Sequence, residues 1–148
     1  MDHWFLQILF RYVHIVSAIV LVGGTTFIAI AMLPSMRLLE DNLRGSVQKL
    51  AMDRFIRAVW LGIAGLIVSG AYNWILLAPT YKAIGPIGNI LIGIKVLVAI
   101  VLFAVVWANR IGLMKLPIRA YLVLNLHLAA VVILLAVILR YLRAVASE

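Results

Sequence analysis

The sequence predicts an all-α fold, an integral membrane four-helix transmembrane bundle forming one compact domain over residues 1–148. Three observations lead there. First, 66% of the residues are hydrophobic and 12% are charged, against about 45–50% and about 25% in a soluble domain. Water would face too much apolar surface, whereas lipid is a natural solvent for it. Second, four apolar runs each reach the ~20 residues that cross a hydrocarbon core. Third, the runs lack the period-two alternation of barrel strands, which leaves helices to satisfy the backbone in lipid.

The first run extends from about Phe5 to Leu33 and stops at Pro34. Met1–Trp4 has no basic leader region and the run has no evident cleavage site, so it reads as a retained helix. A charged stretch, Arg37–Arg57, follows, and residues 37–53 are able to extend a helix beyond the membrane. The second run covers about Phe55–Ala78, with Pro79 as its expected end and Thr80–Pro86 as a short loop. The third covers about Ile87–Ala108 and stops at Asn109-Arg110. Pro117 opens the fourth, about Ile118–Leu139.

The net charge of +8 does not point to nucleic acid, because the basic residues sit between apolar runs and form no basic soluble face. They fit lipid headgroups instead. The first and third loops hold Arg37, Arg44, Lys49, Arg54, Arg57, Arg110, Lys115 and Arg119, eight residues against the four on the opposite side, Arg11, Lys82, Arg140 and Arg143. The positive-inside bias then predicts both termini non-cytoplasmic in a cell inner (cytoplasmic) membrane. Trp4, Tyr12, Tyr72, Trp74, Tyr81 and Tyr141 would form an aromatic belt on that outer side.

Cysteine is absent, which excludes disulfides, thiolate metal sites and cysteine nucleophiles. No apolar run contains Asp or Glu, which argues against a carboxylate proton relay. Three ionisable residues do interrupt the runs: His14, Lys95 and His127. Such groups are costly in a membrane and tend to face a bundle interior or a functional site. At 1.5 Å per residue they lie about 15, 12 and 18 Å from the outer helix ends, close enough to expect one shared layer.

Two buried histidines at matched depth suit axial ligation of haem iron, since neutral imidazole is a good iron ligand. On that reading His14 and His127 are the metal ligands. Lys95 pairs with a propionate or, if deprotonated, ligates iron; Arg11 and the other outer basic residues pair with propionates. The plainer reading of each histidine is an interhelical hydrogen bond. Small residues, Ser17, Gly23, Gly24, Thr25 and Thr26 in the first run and Gly62, Gly65, Ser69 and Asn73 in the second, allow close helix packing. They would also make room for a flat macrocycle, with Ser69 or Asn73 donating to a ligand. The second-run stripe could instead face a second copy in a homodimer. Met32 and Met36, one turn apart, read as packing, with a Cu(I) site as the alternative.

Phe10–Pro34, FRYVHIVSAIVLVGGTTFIAIAMLP, resembles the first helix of CopD-like membrane domains and of the related HemJ-type protoporphyrinogen oxidases. Ile94-Lys95-Val96-Leu97 continuing to Asn109-Arg110 resembles their third helix, and Ser69-Gly70 also fits. The layout matches over almost the whole chain, through short motifs. The resemblance implies a haem b-binding four-helix fold with His14 and Lys95 at functional positions. His127 matches no HemJ-type position, which sets bis-histidine ligation against protoporphyrinogen oxidation. The expected function is therefore a haem b redox protein exchanging electrons with a membrane quinol, a small oxidant or a periplasmic partner. The alternatives are a protoporphyrinogen oxidase-like enzyme, a copper-transport or copper-handling module, and a structural subunit without cofactor.

Overall fold

The computed structural model describes residues 3–114 and 116–146; the side chains of His3 and Ala83, and Lys115 of the basic third loop, lie outside that description. The described residues are helical almost throughout and contain no strand. Four helices are long and apolar enough to cross a membrane, as expected of a multi-pass membrane protein. Helix α1 is His3–Phe27, α2 is Asp41–Ala83, α3 is Pro86–Arg110 and α4 is Ile118–Val145. The chain divides into two compact units, residues 1–73 and 74–148, with the boundary inside α2.

Each helix outruns its expected bounds, for local reasons. The turn of Pro34 does not stop the first helix. A π turn, Ile28–Met32, follows α1 directly, then helical turns Leu33–Ser35 and Met36–Leu38. Within it Leu33 N–H donates to Ile28 O, five residues back. Just upstream, the Thr25 and Thr26 hydroxyls donate to Leu21 O and Val22 O, each at 2.7 Å. Hydroxyl back-bonding of this kind loosens and bends a helix, and π turns take up such local irregularity. The proline therefore enters a stretch that has already left regular α geometry.

Helix α2 is 43 residues long, about 64 Å at 1.5 Å per residue and roughly twice the hydrocarbon thickness. Residues 41–54 carry charge yet remain helical, with Asp41 in the first turn where the helix dipole favours an anion. Pro79 was the expected end of the second helix but lies inside it. A proline near the last turn forfeits one backbone bond, and the helix closes soon afterwards at Gly85, whose φ of 86° suits glycine. The loop expected over Thr80–Pro86 thus shrinks to Ile84-Gly85 between α2 and α3.

In the first unit, the α1–α2 register can be read residue by residue. Phe10 stacks on Tyr72 with ring centroids 4.1 Å apart, and His14 meets Ser69. A methyl group at Gly65 would collide with Ser17, one at Gly62 would lie 2.8 Å from Leu21, and one at Gly24 would collide with the Phe55 ring. Rising numbers on one helix meet falling numbers on the other, so the pair is antiparallel. The small-residue stripe of α2 is occupied by α1 of the same chain. Gly23, by contrast, has nothing near its missing side chain.

The register also places apolar and charged stretches side by side. Gly24 lies at the level of Phe55, so Phe27–Leu33 continues past the point where α2 becomes charged at Asp53, Arg54 and Arg57. There Phe27, Ala31, Met32, Ser35, Met36 and Leu39 line an open groove of about 400 Å³. Met36 is itself buried, in keeping with a packing role.

In the second unit, Tyr81 is the organising side chain of the α2–α3 turn. It is buried, Arg143 lies over its ring at 5.6 Å, and its carbonyl would be 2.7 Å from a methyl group on Gly88. Leu122 and Leu139 of α4 and Val106 of α3 complete the most buried apolar positions of this half.

Candidate functional site

His14 projects from α1 onto α2. Its Nδ1 lies 2.8 Å from the hydroxyl of Ser69. That serine is fully buried, and its own hydroxyl donates to Gly65 O, one turn back, at 2.5 Å. The imidazole rides over Gly70, where a methyl group would sit 3.6 Å from its Cε1. Sequence reasoning named Ser69 as a candidate donor to a ligand; its hydroxyl lies between Gly65 O and His14 Nδ1. Gly65 and Ser69, one turn apart, share one helical face, and Gly70 flanks it.

Asn73, one turn beyond Ser69, offers a different group from the one expected. Its carboxamide oxygen is buried and accepts no hydrogen bond, so the unmet need is for a donor. Arg11 is exposed.

His127 sits on the exposed side of α4, with Nδ1 2.8 Å from Val123 O. A carbonyl only accepts, so Nδ1 carries a proton, and in the neutral ring the lone pair is then on Nε2. An imidazole on the outer side of an apolar helix is costly against lipid, which favours a partner or a bound group at that place. Lys95 is half-buried on α3.

The expectation of a shared layer does not hold between these last two residues. Arg143 and Gly88 both lie against Tyr81, which fixes the level of the helix ends. Lys95 is seven residues in from Gly88 and His127 sixteen in from Arg143, about 10 Å and about 24 Å along the axes. The sequence estimate failed because it ended the fourth helix at Leu139, whereas α4 continues to Val145.

Sequence reasoning passed over Asn125. It is buried on α4, its Nδ2 donates to Tyr121 O at 2.8 Å, and its Oδ1 accepts nothing. A carboxamide within an apolar run was the available signal. Among the described residues, no group of three or more His, Cys, Asp or Glu is arranged to hold a metal ion. A flat cofactor bound through one or two imidazoles needs no such group. No family model, curated protein or solved structure matches the chain.

Proposed function

We propose that this chain is a haem b-binding redox protein of the inner (cytoplasmic) membrane, with His14 and His127 as its iron-ligating histidines. The observation that carries the reading is the state of both imidazoles. Each belongs to a membrane helix, and each has Nδ1 hydrogen-bonded to an oxygen of the fold. Histidines that bind metal through Nε2 characteristically have Nδ1 held in this way.

The remaining donor set fits the same group. Lys95 lies about 14 Å along the axis from His127, the difference between the two depths derived above. On this reading Lys95 serves as the cation for a propionate. Arg11 offers a second cation towards the outer side. Haem b would supply one-electron chemistry, and a quinol, a small oxidant or a periplasmic protein would exchange the electron. The lysine and arginine asymmetry orients both termini away from the cytoplasm.

An absorption spectrum of the chain purified after expression with ample haem tests the reading. A Soret band that loses its low-spin character in His14→Ala and in His127→Ala supports it. Absence of a Soret band, or an unchanged spectrum in both variants, refutes it.

A further inference from the structure

We infer that Ser69 is a positioning residue that holds His14 as its Nδ1–H tautomer, so that Nε2 is the basic nitrogen. What Nε2 then serves, an iron atom, rests on the haem reading; the tautomer itself does not.

A hydroxyl is an ambiguous neighbour for a histidine, because it can donate or accept. Had Ser69 donated to Nδ1, the proton would sit on Nε2 and that nitrogen could not ligate. The hydroxyl has one proton, and its surroundings decide where it points. Ser69 Oγ approaches Gly65 O to 2.5 Å. A carbonyl oxygen only accepts, so a hydroxyl bonded to it gives it the proton, which places the Ser69 proton on the Gly65 side. Ser69 is fully buried, which leaves no water to offer an alternative partner. Only a lone pair then faces His14, and at 2.8 Å Nδ1–H must donate to it.

The glycines around the serine make this arrangement available. A side chain on Gly65 would collide with Ser17 and keep the helices apart. The absence of one on Gly70 lets the imidazole lie against the helix. The two histidines therefore reach one protonation pattern by different means. A backbone carbonyl fixes His127 and cannot be mutated away, whereas a replaceable side chain fixes His14. The fold thus has a single-residue control over the basicity of one of these two imidazoles, since a partner that accepts from Nδ1–H raises the donor strength of Nε2.

The test uses the full chain with ¹⁵N-labelled histidine in lipid nanodiscs without added haem, at about pH 8, above the ordinary imidazole range. His14 signals are assigned by their loss in His14→Gln. The wild type is expected to show protonated Nδ1 and unprotonated Nε2. Ser69→Ala is expected to shift the tautomer ratio at least about fivefold towards Nε2–H, the worth of one ordinary hydrogen bond. Ser17→Ala trims the same interface without touching His14 and should leave the ratio unchanged. An Nε2–H tautomer in the wild type overturns the proposal, as does an equal shift in Ser17→Ala and Ser69→Ala. In a second arm, haem b is titrated into each protein. Weakening by about tenfold or more in Ser69→Ala is the usual scale for losing an outer partner of a ligand. If the wild type takes up no haem, the haem reading falls while the tautomer measurement still decides the role of Ser69.

Discussion

Replacing Gly88 by alanine tests the packing of the second unit. A methyl group there would lie 2.7 Å from Tyr81 O and 3.0 Å from Ile84 Cβ. The second distance is already about 0.5 Å short of a favourable carbon–carbon contact. Neither atom is the tip of a flexible side chain, so relief requires moving the turn itself. Overpacking of this kind costs about 1–3 kcal/mol. Gly93 on the same helix is the control, because nothing lies within 4 Å of its missing methyl group. Removing the glycine gains about 0.5–1 kcal/mol at Gly93 in the helix interior and less at Gly88 in the first turn, which widens the gap in the same direction. Gly88→Ala should therefore fall below Gly93→Ala by about 1–3 kcal/mol, or about 5- to 150-fold in the folding equilibrium. Reversible unfolding in mixed detergent micelles, followed by tryptophan fluorescence, measures the gap. Equal stability of the two variants would refute the close approach of Tyr81 and Gly88.

Other perturbations follow from named contacts. A double-mutant cycle on Phe10→Leu and Tyr72→Leu should give a coupling of about 0.5–1.5 kcal/mol for the stacked rings; no coupling would refute the α1–α2 register. The same cycle on Tyr81→Leu and Arg143→Gln should give about 0.5–1 kcal/mol, or more if the pair is shielded from water. Because the chain has no cysteine, a single introduced thiol reports topology without background. Ser46→Cys should be labelled by an impermeant reagent only after the membrane is opened, and Ala146→Cys in intact cells; the reverse pattern would invert the proposed orientation.

The number of membrane helices was legible because each apolar run is long and uninterrupted. Their ends were not, because charge and proline were read as stop signals. Residues 41–54 are charged but good helix formers, so α2 simply leaves the hydrocarbon and continues. Pro79 costs one backbone bond and crowds the carbonyl four residues back, which a helix with packed neighbours tolerates. Of the candidate site, His14, His127 and Lys95 stood out as ionisable groups in apolar runs. Their partners did not, because which residue meets His14 depends on the α1–α2 register. That register follows from Gly62 and Gly65 fitting Leu21 and Ser17, a matter of shape rather than pattern. Asn125 escaped notice for want of a charge, although its buried oxygen is as demanding as an ion's neighbour.

The π turn at Ile28–Met32 has a consequence for how this chain tolerates changes in length. It accommodates one residue more than an α turn would, and each helical residue advances the face by about 100°. Deleting one residue there would let the helix close into regular α geometry without a break. Because the wide turn spends its extra residue within about one revolution, Leu33 and Met36, both buried, would keep their packing face. The turn thus takes up one residue of length without turning the side chains beyond it.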